Sequence, residues 1–256
     1  MATSNQPSSP NRPHRTVLIT GANGGIGCAI ARAFLDGDPT SKVWLGVRSN
    51  RDAAVALAAE PDYSERCHVV TLDVGSSESW EVALNEIAAA GDPVNVLVNN
   101  AGSHSDALLA TMSDEAWSGV LRANLDGTFY GCRAVTKGMI GGRWGRIINV
   151  SSLSAILCPA GQANYSAAKA GVVAMGSAMA KEVARLGITV NAVCPGYIET
   201  AALDDMPDEQ RKAALRQLPM RRFGTPDEVA GTVFFLAGDS AAYITGVALR
   251  IDGGMG

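Results

Sequence analysis

From residue 16 onward the chain alternates between two hydrophobic patterns. Short β-branched runs occur at 17–20 (VLIT), 42–47 (KVWLGV), 68–72 (HVVTL), 94–99 (VNVLVN), 146–150 (RIINV), 188–193 (ITVNAV) and 248–251 (ALRI). The early runs are apolar on successive residues, as strands covered on both faces require. Stretches with helical spacing lie between them, at 25–36, 51–59, 76–90, 114–138, 165–185, 208–217 and 226–237. Strands and helices in this alternation predict right-handed crossovers. The expected fold is therefore α/β, a seven-stranded doubly wound parallel sheet flanked by helices on both faces. No Pro/Gly/Ser linker interrupts the pattern after residue 15, so 15–256 reads as one domain. Residues 1–14 carry Ser, Pro and Asn and almost nothing apolar, too little burial to offset ordering entropy, and are expected to form a disordered tail.

One helical stretch is unusual. YSAAKAGVVAMGSAMAKEVAR, at 165–185, is small or apolar on nearly every face of its first four turns. Such a helix needs cover on all sides. The sheet supplies one side; a second copy of the chain, as a dimer or tetramer, or the 201–219 segment supplies the other.

Composition narrows the partners. The chain is 47% hydrophobic, ample for a core, and its 21 basic and 25 acidic side chains leave a net charge of −4. Phosphate backbones and anionic lipid would repel it overall, so neither nucleic acid nor membrane is an expected partner. No apolar run reaches the roughly 20 residues of a membrane span and no basic-then-apolar leader opens the chain, which points to a cytoplasmic protein. Cys28, Cys67, Cys132, Cys158 and Cys194 are scattered, and His14, His68 and His104 stand far apart, so neither disulfides nor a metal centre is expected.

The chemistry begins at TGANGGIG, directly after the first strand. Gly21, Gly25 and Gly27 let backbone approach a pyrophosphate at the start of a helix, where unpaired N–H groups and the helix dipole favour negative charge. About 20 residues on, where an acidic residue would bind the ribose of NAD, stand Val47, Arg48 and Ser49. A guanidinium there can take a 2′-phosphate, so NADP(H) is favoured over NAD(H). Asp73, at the end of the third strand, either reaches the adenine amino group or caps a helix. Tyr165 alone among the five tyrosines is followed four residues later by lysine. On a helix, Lys169 would share a face with it, and a fixed ammonium with an oxidised nicotinamide would draw a phenol of pKa about 10 toward the working range.

Taken together, TGANGGIG, NNAG at 99–102, Asn124, Ser152, Tyr165 with Lys169, PGYIET at 195–200 and the closing IDGG resemble the short-chain dehydrogenase/reductase family in its classical form. The resemblance implies a single-domain Rossmann fold and a catalytic tetrad of Asn124, Ser152, Tyr165 and Lys169. It implies cofactor contacts from Asn23, Gly24 and Ile26 in the loop, Val74 beside Asp73, and Asn100, Ala101 and Gly102 after the fourth strand. Lys169 would also hold the nicotinamide ribose, with Pro195, Gly196, Ile198 and Thr200 bordering the nicotinamide. Ser152, 13 residues before the tyrosine, is the family position; adjacent residues at a strand end point opposite ways, leaving Ser151 structural. A serine-hydrolase reading lacks a glycine-flanked elbow and a histidine partner.

GQANYSAAKAG and GITVNAVCPGYIET are most similar to 3-oxoacyl-[acyl-carrier-protein] reductases and polyketide ketoreductases, which implies an acyl-thioester or small-molecule carbonyl substrate. Acyl carrier protein is acidic, and Arg143 matches one arginine tied to its docking; the second position holds Leu186, with Arg185 one place earlier. Gly24 stands where many such reductases carry arginine, leaving the phosphate to Arg48. The substrate loop is expected at about 195–219. An NAD(P)-dependent dehydrogenase of a sugar, sterol or other secondary alcohol shares every catalytic residue, and a nucleotide sensor would have no need of the tetrad.

Overall fold

The computed structural model describes residues 14–203 and 206–256. Seven strands, β1 (Thr16–Thr20), β2 (Lys42–Val47), β3 (Cys67–Thr71), β4 (Val96–Asn99), β5 (Gly145–Val150), β6 (Ile188–Pro195) and β7 (Ala248–Ile251), form one sheet in the order β3-β2-β1-β4-β5-β6-β7. Every pairing is parallel. The order reverses between β1 and β4, and in such sheets the crevice beyond the carboxyl ends at that reversal receives ligands. The expected tail, 1–14, lies outside the described residues except for His14.

Helices α1 (Gly25–Gly37), α2 (Asp52–Ala58), α3 (Ser77–Ala89), α4 (Asp114–Leu121), α5 (Gly127–Gly142), α6 (Ser154–Leu157), α7 (Ala163–Val183), α8 (Asp208–Gln217) and α9 (Pro226–Leu236) surround it. One face of the sheet meets α1 and α9 through Ile30, Phe34, Val229 and Val233, with Phe34 edge-on to Phe234. The other meets α3, α5 and α7 through Trp80, Ile87, Met139 and Val183. Both faces are covered, which is why the central strands carry no polar alternation. No helix among the described residues is long and apolar enough to cross a membrane. Cys67, Cys132 and Cys194 are buried free thiols, Cys28 is half-buried and Cys158 is exposed.

The structure changes several boundaries. The stretch at 114–138 is α4, a π-helical turn over Arg122–Asp126, and then α5, which runs to Gly142. The fourth strand begins at Val96, not 94, because the Asn95 side chain takes over the ladder: its Oδ1 accepts the Thr16 amide and its Nδ2 donates to the His14 carbonyl. α7 starts two residues before Tyr165 and packs on β6, α4 and the π turn. The 201–219 segment instead clusters Ala214, Leu218 and Phe223 with Met255, so it is not the expected cover for α7.

α5 approaches α3 closely because Gly131 lies under Trp80; a Cβ at 131 would stand 2.6 Å from the indole and 2.7 Å from Asn99 Oδ1. Gly131→Ala is therefore expected to lower unfolding free energy in urea by about 1–3 kcal/mol from overpacking, despite the better helix propensity of alanine. Unchanged or increased stability would show that the α3–α5 contact yields easily.

Candidate active site

The reversal point is tied across its gap by short polar links. Thr20 Oγ1, at the end of β1, accepts the amides of Asn100 (3.0 Å) and Ala101 (2.9 Å) after β4. Asn100 Nδ2 donates back to the carbonyls of Thr20 (2.9 Å) and Gly21 (3.1 Å). Gly21 follows with φ +63°, where a Cβ would lie 2.8 Å from Ala101 Cα. A side chain at Gly27 would meet the Gly21 carbonyl oxygen at 2.6 Å. The loop thus closes on its own backbone and on the 99–102 turn, and glycine is the residue that permits both approaches.

This closure leaves a cleft of about 990 Å³ above the sheet. Gly21, Asn23, Gly24, Gly25, Ile26 and Gly27 form one wall; Arg48 and Ser49, then Asp73 and Val74, follow the ends of β2 and β3; Asn100, Ala101, Gly102, Tyr165 and Thr200 complete it. The N-cap of α1, Gly24, has no capping side chain, and no acidic residue stands in the first turn, so its amides and dipole are open to an anion. The donor set and the glycine cradle fit a dinucleotide. Asp73 Oδ1 accepts the Gly75 amide at 3.0 Å, a local turn beside the cleft.

Pro195, Gly196 and Ile198 are placed beside the cleft without lining it. The Pro195 carbonyl accepts from Leu153 N, Gly196 N donates to Ile251, and Ile198 is buried against Gly224. Arg143 stands at the other end of its strand. It is exposed at the C-cap of α5, two residues before β5 begins, whereas Ser152 follows the other end of that strand. At strand rise the six residues of β5 alone put about 20 Å between the two ends.

The four residues expected to be catalytic converge. Ser152 Oγ accepts the Ser154 amide at 3.1 Å, and the Ser152 hydroxyl acts on the Tyr165 phenol in the direction that lowers its pKa. Ser151 points the other way and donates to the Lys169 carbonyl at 2.9 Å, so it is structural, as strand alternation requires. Buried Lys169 directs Nζ to the Val150 carbonyl at 2.8 Å and holds it 5.7 Å from the centre of the Tyr165 ring. Asn124, fully buried in the π turn, donates Nδ2 to the carbonyls of Ser103 and Val120. Its Oδ1 has no protein partner and faces Gly102, where a Cβ would lie 2.4 Å from that oxygen and 3.4 Å from Lys169 Nζ. The missing side chain at 102 is what lets the asparagine and the lysine share one space.

Burial dominates the electrostatics of the pair. Burial pushes the Tyr165 phenol above its ordinary value; the Ser152 hydrogen bond opposes this, and the Asp106 charge adds to it. Burial pulls Lys169 itself down to about 8.

Several contributors carried no motif. Asn164, buried, donates Nδ2 to the carbonyls of Ser105 and Ala116 and accepts the Tyr165 amide, fixing the first turn of α7 and the tyrosine with it. Gln162 links Ser154 to Asp106, whose carboxylate lies 3.4 Å from His104, and His104 stands edge-on to Tyr165. Arg122, Gly75, Ser103 and Ala201 also line the cleft. A polar residue next to the tyrosine was a visible hint for Asn164; the others depend on which loops meet.

Comparison with known proteins agrees with this geometry. Residues 21–256 match the family model described as enoyl-(acyl carrier protein) reductase. The chain is 44% identical over 246 residues to 3-oxoacyl-[acyl-carrier-protein] reductase FabG of Vibrio cholerae, covering 96% of this chain and 98% of the relative. It is 41% identical over 242 residues to the protein of that name from Escherichia coli (94% and 97% covered). Nodulation protein G of Azospirillum brasilense is 40% identical over 242 residues (94% and 98%).

The lowered amine has a pH signature. Unfolded, it titrates near 10.5; folded, near 8. Between those values the unfolded chain binds the extra proton, so this group makes stability rise with pH from 8 to 10.5, and below 8 its cost is constant at about 3 kcal/mol. In denaturant titrations, the stability of the parent minus that of Lys169→Met is expected to rise across that window. A flat difference would show that the amine is not held in a charge-hostile site.

Proposed function

Because the chain belongs to the short-chain dehydrogenase/reductase family, oxidoreductases of the C=O/CH–OH pair, we propose that it reduces a 3-oxoacyl thioester with NADPH. The thioester is carried on acyl carrier protein, as the names of the FabG relatives indicate for those proteins. The observation that carries this reading is the convergence of Ser152, Tyr165 and the buried Lys169, whose Nζ stands 5.7 Å from the tyrosine ring, at a dinucleotide-sized cleft.

A bound nicotinamide cofactor supplies hydride to the carbonyl carbon. The protein's own residues handle the oxygen. Tyr165 donates its proton to the developing alkoxide, and the raised phenol stays protonated at neutral pH, the form a reduction needs. Ser152 steadies the same oxygen through its hydroxyl. Lys169, together with a water that the free Asn124 Oδ1 would hold on the other side of Gly102, would provide a route for reprotonation from solvent. Arg48, at the end of β2, takes the 2′-phosphate that distinguishes NADP from NAD.

Self-association into a dimer or tetramer belongs to the same reading. Ala167, Ala174 and Ala178 line an exposed flank of α7, Phe129 and Ile140 are exposed on α5, and Val247 and Leu249 flank the open edge of the sheet at β7. A second copy would cover surfaces that one chain leaves bare. Sedimentation equilibrium at micromolar concentration is expected to show the larger species, and a strict monomer would defeat this part.

With an acetoacetyl thioester, NADPH consumption followed by absorbance should be rapid, and Tyr165→Phe should slow it by about 100- to 10,000-fold while leaving NADP⁺ binding nearly unchanged. Retained turnover in that variant would overturn the assigned acid. A parent enzyme inactive on thioesters but active on simple ketones would overturn the substrate.

A further inference from the structure

The cleft is lined by three charged side chains among the described residues: Arg48, Asp73 and Arg122. Arg48 approaches from the β2 end. Arg122 comes from the opposite wall, as the first residue of the π turn, and its guanidinium has no hydrogen-bonding or ion-pair partner among the described residues.

The π turn aims it. The Gly127 amide donates to the Arg122 carbonyl, five residues back, which sets the two residues one above the other on the same flank. In an uninterrupted α-helix, residues five apart would point about 140° apart. Gly127 packs on Val74; a Cβ there would stand 3.0 Å from Val74 Cγ2. Arg122 therefore faces the same loop, and its Cγ and Cδ lie 3.2 and 3.5 Å from the position of a Cβ at Gly75. Asp73 Oδ1 lies 3.4 Å from that same point. A long cationic stem thus lies across a bare glycine, next to a carboxylate, over a floor that includes buried Leu72.

We infer that Arg122 stacks its guanidinium on the adenine base of the bound dinucleotide, capping the adenosine half from the wall opposite Arg48. This rests on the reading of the cleft as a nicotinamide dinucleotide site. The base is the group that the surroundings suit. The first-turn amides of α1 serve the pyrophosphate, Arg48 serves a 2′-phosphate, and the Asp73 carboxylate would repel either anion from the space beneath Arg122. An aminopurine satisfies both neighbours, giving its amino hydrogens to the carboxylate and its flat face to a planar cation.

The test is calorimetric titration of the full chain carrying Arg122→Ala with NADP⁺, NAD⁺, 5′-AMP and nicotinamide mononucleotide. Stacking on the base predicts that the three adenine ligands weaken alike, by roughly three- to thirtyfold, while the mononucleotide is unaffected. No change for the adenine ligands would overturn the inference. So would a loss confined to NADP⁺, which would make Arg122 a phosphate ligand, or an equal loss for the mononucleotide, which would indicate a distorted cleft. Arg48→Ala, titrated in parallel, tests the underlying reading by itself: it should weaken NADP⁺ and spare NAD⁺. Equal loss of both there would remove the phosphate assignment while the 5′-AMP result still decides for or against Arg122, and a parent chain that binds none of the adenine ligands would remove both.

Discussion

The site depends on a polar tie across the sheet at the one place where its winding reverses. Strands β1 and β4 are neighbours, but their helices leave on opposite faces, so backbone groups just beyond their ends lose ladder partners. Thr20 and Asn100 supply the missing bonds to each other. Each such bond contributes only about 1 kcal/mol net, yet an unpartnered buried amide costs up to about 3, so the tie fixes the crevice geometry more than its nominal strength suggests. From it follow the position of Gly21 against Ala101, then of Gly102 against Asn124 and Lys169. The cofactor end and the reacting end are thereby parts of one rigid turn-to-turn contact.

A second constraint is burial of charge. Lys169 lies under the sheet's carboxyl edge, satisfied by one strand carbonyl, and burial lowers its affinity for a proton. The same burial raises the phenol beside it. Both groups are thus biased toward their neutral forms, the cheap states in a low-dielectric pocket. A charge brought into this pocket would shift both equilibria strongly, and that responsiveness suits an acid that must give up a proton and recover it.

Much of this was legible in the residues. Runs such as VLIT and RIINV marked doubly covered strands, and the glycine loop, Ser152, Tyr165 and Lys169 fell into one site once the strands were in order. The choice of Ser152 over Ser151 needed only the two-residue period of a strand. What could not be read has physical reasons. The separation of Arg143 from Ser152 along β5 is invisible to a motif match, which fixes spacing in sequence and not direction in space. Asn95 displaced a strand start by imitating backbone, a substitution that apolar patterning does not register. That Lys169 also donates to the Val150 carbonyl was not visible, because spacing on a helix shows which side chains share a face, not which carbonyl the longer one will choose.

The interruption at Arg122–Asp126 reaches beyond the cleft. An extra residue in a helical turn acts as a change of phase: the segment before it meets α7, the segment after it meets α3, and the axis need not bend to serve both. No single stripe of apolar positions can describe such a rod, because its two halves are keyed to different neighbours. Deleting one residue there would smooth the backbone yet rotate the entire downstream half relative to the upstream one, misaligning a packed surface as well as a binding wall. Tolerance to insertion and deletion should therefore be lowest in this helix, although it carries exposed side chains such as Trp117 and Phe129.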